Sequence, residues 1–177
     1  MGSLKFRVLL DSEKSEEIFR DIQINEDDNF ESLYHAILKS FSFEGNQLAS
    51  FYISNDEWDK GHEIALTDMR YDDEEDISIM KESTLNDFME TSDQKVILVH
   101  DFMRMWIFLI ELIDRRQETV AAPLALLAVG LAPPEDSKMM QEDMEFGEDF
   151  DDDEFSEEDD DFEDGYDDED LANYEEY

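Results

Sequence analysis

The sequence predicts an α+β fold: a single domain with a mixed or antiparallel sheet and two or more packed helices, followed by a disordered acidic C-terminal tail. Three observations predict it. Apolar residues alternate at the N-terminus, they recur at helical spacing between residues 30 and 41, and past residue 138 they give way to a run of acids. Strand-like and helix-like segments are interspersed without regular βαβ spacing, which separates α+β from α/β.

Leu4, Phe6, Val8 and Leu10 alternate with Lys5 and Arg7, the period of a half-buried strand. Ile18–Ile24 reads as a second strand, bounded by the acidic turn Asn25–Asp28. Phe30, Leu33, Tyr34, Ile37, Leu38 and Phe41 then form one apolar stripe on a helix of about three turns. Asp28 and Glu31 have capping-box spacing at its start, although the box prefers Ser or Thr first. Leu48–Ile53 reads as a strand, Trp58 sits in an acidic loop, and Glu63–Met69 reads as a further short strand. The acidic loop Tyr71–Asp76 leads to the brief apolar run Ile77–Met80. Thr84 and Asp87 have capping spacing in front of Leu85, Phe88 and Met89, which predicts a short second helix. Val96–Val99 is strand-like by β-branching. Met105–Ile113 is apolar on both faces except Glu111 and is expected as a central strand buried on both sides. For Val120–Ala132 a packed helix, a strand and a dimer contact all stay open, and with them the oligomeric state.

At 177 residues the chain has room for one ordinary domain and an appendage. It carries 13 Lys and Arg against 52 Asp and Glu, a net charge of −39. That balance argues against binding a nucleic-acid backbone, which needs clustered cations, and against an anionic membrane surface. The absence of cysteine excludes disulfides, thiolate metal sites and cysteine nucleophiles. Met1–Leu10 has no apolar run before a small-residue cleavage site, so no signal peptide is expected. Val120–Pro134 is 15 residues without a charge, interrupted by Pro123 and Gly130, and falls short of the ~20 a helical span needs. A cytoplasmic protein is the expectation.

The charge divides the chain. Residues 139–177 hold 22 acids and no base, whereas 1–138 hold 30 acids and all 13 bases. Such like-charged runs repel themselves and offer little to bury. The expected organisation is an α+β domain over 1–116, an apolar connector over 117–138 and a disordered acidic-aromatic tail over 139–177.

Several segments match a known family in order and spacing: Ile18–Ile24, Asn29–Ser40, Gln47–Phe51, Asn55–Lys60, Glu63–Met69 and Val99–Met103. Over roughly residues 4–113 the chain resembles the plasmid open-reading-frame-three-like family first described from the Ri plasmid, also labelled insertion-element passenger proteins. The likeness is to the acidic-tailed version common in Bacteroidetes. Where the wider family has Asp-Phe-Gly-Asp-x-Trp, this chain reads Asp101-Phe102-Met103-Arg104-Met105-Trp106, without the Gly and the second Asp. Its usual Leu-His is Leu33-Tyr34 here, with His35 next, and Pro133-Pro134-Glu135-Asp136 echoes a motif of the longer members. The resemblance implies an α+β domain in a prokaryotic cytoplasm and carries no activity with it.

Motifs for catalysis or cofactors fail on inspection. His62-Glu63 opens like a zinc-protease helix, but Leu66 stands where the second His must be. No nucleophile elbow, phosphate loop or dinucleotide fingerprint occurs. An EF-hand loop centred on Gly165 puts Phe162 third and Leu171 twelfth, and one centred on Gly147 puts Met144 third. No catalytic residue, metal ligand or cofactor is expected. His100 and Asp101 are adjacent, so on a strand they point apart and read as a structural His and a turn-capping Asp. Trp58, Trp106 and the aromatics at 41, 43, 51 and 52 read as core, with Met69, Met80, Met89, Met103 and Met105 as gap-fillers.

The tail carries Phe146, Phe150, Phe155, Phe162, Tyr166, Tyr174 and Tyr177 among its acids. Acids would steer encounter with a cationic partner and the rings would anchor it. The expected function is therefore a non-enzymatic adaptor or regulator that binds basic proteins through these residues. Two alternatives stay open: an enzyme with a carboxylate/His100 cleft that brings in Asp101 or Glu111, and a tail that only solvates.

Overall fold

The computed structural model of the chain describes residues 1–12, 16–72 and 76–138. The chain divides into two units, 1–138 and 139–177, and the described residues all belong to the first. The disorder expected of 139–177 therefore lies outside the described residues.

Two strands, β1 (Ser3–Leu10) and β2 (Phe19–Asn25), precede helix α1 (Phe30–Phe41). Then come β3 (Ala49–Ser54), β4 (Glu63–Ala65), β5 (Ile77–Ile79), a 3₁₀ turn at Met80–Glu82 and the single-turn helix α2 (Leu85–Phe88). The long hairpin β6 (Lys95–His100) and β7 (Trp106–Arg116), then β8 (Leu124–Val129) and a 3₁₀ turn at Glu135–Ser137 complete the unit. Among the described residues the eight strands form one sheet, in the order β5-β4-β3-β6-β7-β1-β2-β8. Its pairs are antiparallel apart from β4–β5, so the sheet is mixed and the class is α+β. Among the described residues no helix is long and apolar enough to cross a membrane.

The predicted helix forms over its whole stripe, and all six of its apolar residues are buried. Its cap is Asn29 rather than Asp28: the Asn29 side chain accepts the Ser32 N–H at 2.9 Å, the N3 bond that a cap residue supplies. The stripe lies on the sheet face carrying Leu4, Phe6, Val8, Phe108, Ile110 and Leu112, and the two surfaces form the core. The T-shaped pairs Phe41–Phe108, with ring centres 5.0 Å apart, and Phe30–Phe51, at 5.2 Å, sit across that layer.

Three expectations are corrected here. β7 is central, between β6 and β1, but only one of its faces is in the core. Trp106, Phe108, Ile110 and Leu112 are buried, whereas Ile107, Leu109 and Glu111 are half-buried and Ile113 is exposed, because helix α1 covers one side of the sheet only. Thr84 makes no side-chain cap for α2. Backbone bonds from Leu85 N to Asp28 O and from Phe30 N to Ser83 O pin that turn to the start of α1. Finally, residues 117–138 are more than a connector, since β8 extends the sheet alongside β2. Of the aromatics read as core, Phe41, Phe43, Phe51 and Trp106 are buried, and Tyr52 and Trp58 are half-buried.

Candidate functional site

A cleft of about 410 Å³ opens where the chain leaves α1, where β6 ends, and where the segment after β8 returns. Each wall has a local cause. Helix α1 stops at Ser42, which is left-handed (φ 61°) and caps the last turn with its N–H to Leu38 O and Lys39 O. Gly45 (φ +80°) keeps the following loop tight, since a Cβ there would lie 2.6 Å from Leu38 Cδ1 and 3.8 Å from the Tyr34 hydroxyl. Strand β6 ends just before Asp101, which is also left-handed (φ 62°) and almost fully buried. Its Oδ1 accepts the N–H groups of Met103 (3.1 Å) and Arg104 (3.3 Å), so it is the turn-capping Asp that the sequence suggested. The third wall is Pro134–Asp136.

Behind the cleft lies a buried polar chain. His100 has no exposed surface, and both of its ring nitrogens are engaged. Nδ1 is 2.9 Å from the Tyr34 hydroxyl and Nε2 is 2.6 Å from Glu135 Oε2. Burial first, and then the charges of Glu135 and Asp101, raise the Tyr34 pKa, so the phenol stays protonated and available as a donor. We therefore assign the tautomer from the network: Tyr34 O–H donates to Nδ1, and Nε2–H donates to Glu135. Burial pushes the Glu135 carboxyl up, but the Glu44 N–H, the His100 ring and Arg104 together more than reverse it, leaving its pKa below the ordinary value.

Glu135 also fastens its own segment. Its Oε1 accepts Glu44 N–H at 2.7 Å and its carbonyl accepts the Trp106 indole N–H at 2.9 Å. Arg104 Nε donates to Lys138 O at 3.0 Å, and the Lys138 ammonium both donates to Met105 O and lies 5.4 Å over the Trp106 ring. Arg104 stands where the wider family pattern has an Asp, and its guanidinium is also 3.7 Å from Asp101.

The structure brings together His100, Asp101 and Glu135, and it keeps Glu111 apart. His100 faces Trp106 across β6–β7, whereas Glu111 faces Lys95 at the opposite end of the ladder and on the outer face. The His100 cleft with Glu111 is thus overturned by register alone. His62 hydrogen-bonds Ser78 at 2.7 Å and stacks on Phe88, and His35 is exposed beside Glu31. Among the described residues no group of three or more His, Asp and Glu could hold a metal. Phe146, Phe150, Phe155, Phe162, Tyr166, Tyr174 and Tyr177 lie outside the described residues.

Sequence reasoning missed Tyr34 and Glu135 as partners of His100. Tyr34 was hidden in the apolar stripe of α1. Glu135 lay within the Pro133–Asp136 motif, and that motif was the available signal: two prolines end strand pairing and present the next carboxylate at a fixed place.

Comparison with known proteins adds the following. A family model described as plasmid pRiA4b ORF-3-like protein matches residues 3–175, running past residue 113 to take in Pro133–Asp136. A crystallised protein of unknown function from Methanosarcina mazei Go1 superposes with a TM-score of 0.65 at 21% identity, over 78% of this chain and 75% of that one. At that identity the likeness shows the fold alone. Among curated proteins, none matches.

Proposed function

The chain belongs to the plasmid pRiA4b ORF-3-like family, and from that premise we propose that it is a non-enzymatic adaptor or regulator of the bacterial cytoplasm that binds basic proteins through residues 139–177. Within the family we read it as the acidic-tailed, insertion-element passenger type of Bacteroidetes. The observation that carries the reading is the charge: 22 acids, no base and seven Phe and Tyr in the last 39 residues. Charge of one sign raises the encounter rate with a cationic surface, and aromatic rings give that encounter a lifetime.

Two features of the folded unit support it. His100 is fully buried with both nitrogens used, so it is not a free base at the cleft. Among the described residues five cations are held in ion pairs: Lys5 and Arg7 share Asp21, Lys95 sits on Asp56, Arg70 on Asp68 and Arg116 on Asp114. A nucleic-acid backbone would have to compete with those carboxylates for these five cations.

The test keeps the full chain and its charge while changing its seven tail aromatics to Ser. Capture from a nuclease-treated lysate at low and moderate salt identifies the partner, and titration then compares the two chains. We expect a defined basic protein whose affinity falls about tenfold or more without the rings. Equal binding by both chains would reduce the tail to a solvating polyanion. A second reading, an enzyme working at the Asp101–Arg104–Glu135 cleft, is favoured by the cleft's 410 Å³, within the size range of ligand sites. On that reading the natural chain turns over a substrate in the cleft, and Glu135→Ala, which removes one of its carboxylates, should abolish the activity.

A further inference from the structure

The two edges of the sheet are built differently. At one edge β5 has three residues, preceded by Asp76 and followed by Lys81 and Glu82. At the other, β8 has six residues, Leu-Ala-Leu-Leu-Ala-Val, and no residue between Glu118 and Glu135 is charged. Leu124, Leu126 and Leu127 are 49%, 40% and 45% exposed, and Leu131 beyond them is 90% exposed. An edge strand offers unpaired N–H and C=O groups to any chain that can lie beside it, and natural edges are blunted by shortness, charge, proline or bulges. β5 uses the first, and charged residues flank it. β8 has Pro123 just before it and a bulge opposite Asp21–Ile22, but it is long for an edge and carries no charge.

β8 is also firmly held from its inner side. Asn25 exchanges two 2.8 Å bonds with the N–H and C=O of Val120, and Arg20 donates to Val129 O at 2.9 Å and Gly130 O at 3.2 Å. Gly130 (φ +80°) lets the chain close on Ile18, because a Cβ there would lie 2.6 Å from Glu17 O. The strand is thus pinned at both ends to β2, and among the described residues no strand pairs with its outer side.

We propose that β8 is a self-association edge, pairing antiparallel with β8 of a second copy about a two-fold axis. Charge selects this occupant. A basic partner is drawn to the acids and gains nothing from an uncharged strand, whereas a second copy brings an uncharged apolar strand by necessity. A two-fold axis sets two such edges antiparallel, so each copy presents the same leucines to the other. Two six-residue strands cover less than the ~800 Å² per partner of a standard interface, so the dimer is weak and reversible. Repulsion between two chains of −39 opposes it, and salt screens that repulsion. Dimerisation therefore strengthens with salt, whereas capture of a basic protein weakens, which separates this proposal from the function proposed above.

Sedimentation velocity on the full chain, over a concentration series at low and high salt, tests it. The expected mass moves from 20.8 kDa toward twice that value with concentration, and further at high salt. Leu126→Lys and Leu124→Lys should each weaken the dimer about tenfold or more. Each added lysine lowers the net repulsion, so the loss would come from the edge itself. Met69→Lys, at an exposed site away from β8, makes the same charge change and should leave the dimer intact. Amide exchange in the natural chain gives a readout independent of any variant: the amides of 124–129 should slow with concentration at high salt. A chain that stays monomeric throughout, a dimer indifferent to both β8 substitutions, or amides that do not slow would each overturn the proposal.

Discussion

The His100 cluster and the β8 edge belong to one folded unit and invert each other's chemistry. In the first, an imidazole and a phenol are sealed where apolar groups would ordinarily pack. In the second, leucines stand nearly half exposed where charge would ordinarily be placed. The two differ in what holds them. The buried polar groups are tolerated because each is matched: among the described residues no buried side-chain nitrogen or oxygen lacks a hydrogen-bond partner. The exposed leucines are tolerated because the backbone behind them is clamped by Asn25 and Arg20. A matched network is brittle, since removing one member strands its neighbours. A clamped apolar edge is robust, since its side chains contribute little to the fold of a single copy.

The sharpest way to break this contrast is His100→Leu. It strands the Tyr34 hydroxyl and the inner oxygen of Glu135, and should lower stability by about 2–4 kcal/mol in denaturant unfolding, with an unchanged slope. A loss below about 0.5 kcal/mol would mean that the cluster is not brittle. Tyr34→Phe is milder, because it deletes one hydroxyl and leaves Nδ1 alone. About 1–2 kcal/mol is expected by the same measurement.

Glu135→Gln keeps the shape and removes the charge, at a cost of about 1 kcal/mol near neutral pH. The folded-state pKa of Glu135 is depressed, so its contribution is fully present above the unfolded carboxyl value of about 4.3 and is lost as pH falls through the lower folded value. The stability gap between the natural chain and Glu135→Gln should therefore close on acidification below about pH 4. A gap that is flat from neutral pH into that range would disconnect the charge from the Glu135 contacts to His100 and Glu44. The smallest expected effect lies at the other region. Leu126→Lys should shift the stability of the monomer by no more than about 0.5 kcal/mol in dilute, low-salt solution, and a larger loss would show that β8 is packed more tightly than its exposure suggests.

Much of the fold was legible because it is written in short periods. The alternation of Leu4–Leu10 and the stripe from Phe30 to Phe41 each repeat within a few residues, and both elements formed where they were expected. β8 was not legible, since an apolar run without polar alternation has neither the period of a strand nor that of a helix. The second buried face assigned to β7 failed for a related reason. A strand's pattern says which residues could be covered, but the covering helix has to be placed before either face can be assigned. At the site, the capping role of Asp101 was readable from its own turn, whereas the partners of His100 lie 66 and 35 residues away along the chain.

By itself, then, the sequence determined the α+β class, the helix α1, most of the strands and the concentration of acid past residue 138, all of which follow from neighbouring residues and from charge. The tertiary structure decided that β8 lies beside β2 as an edge, that Glu111 stands at the far end of β7 from His100, and that Tyr34 and Glu135 meet on the two sides of one imidazole. Those outcomes depend on strand order and on the path of the chain after β8. Such contacts form between segments that share no local pattern, and only the packing of the whole sheet against α1 brings them within hydrogen-bonding distance.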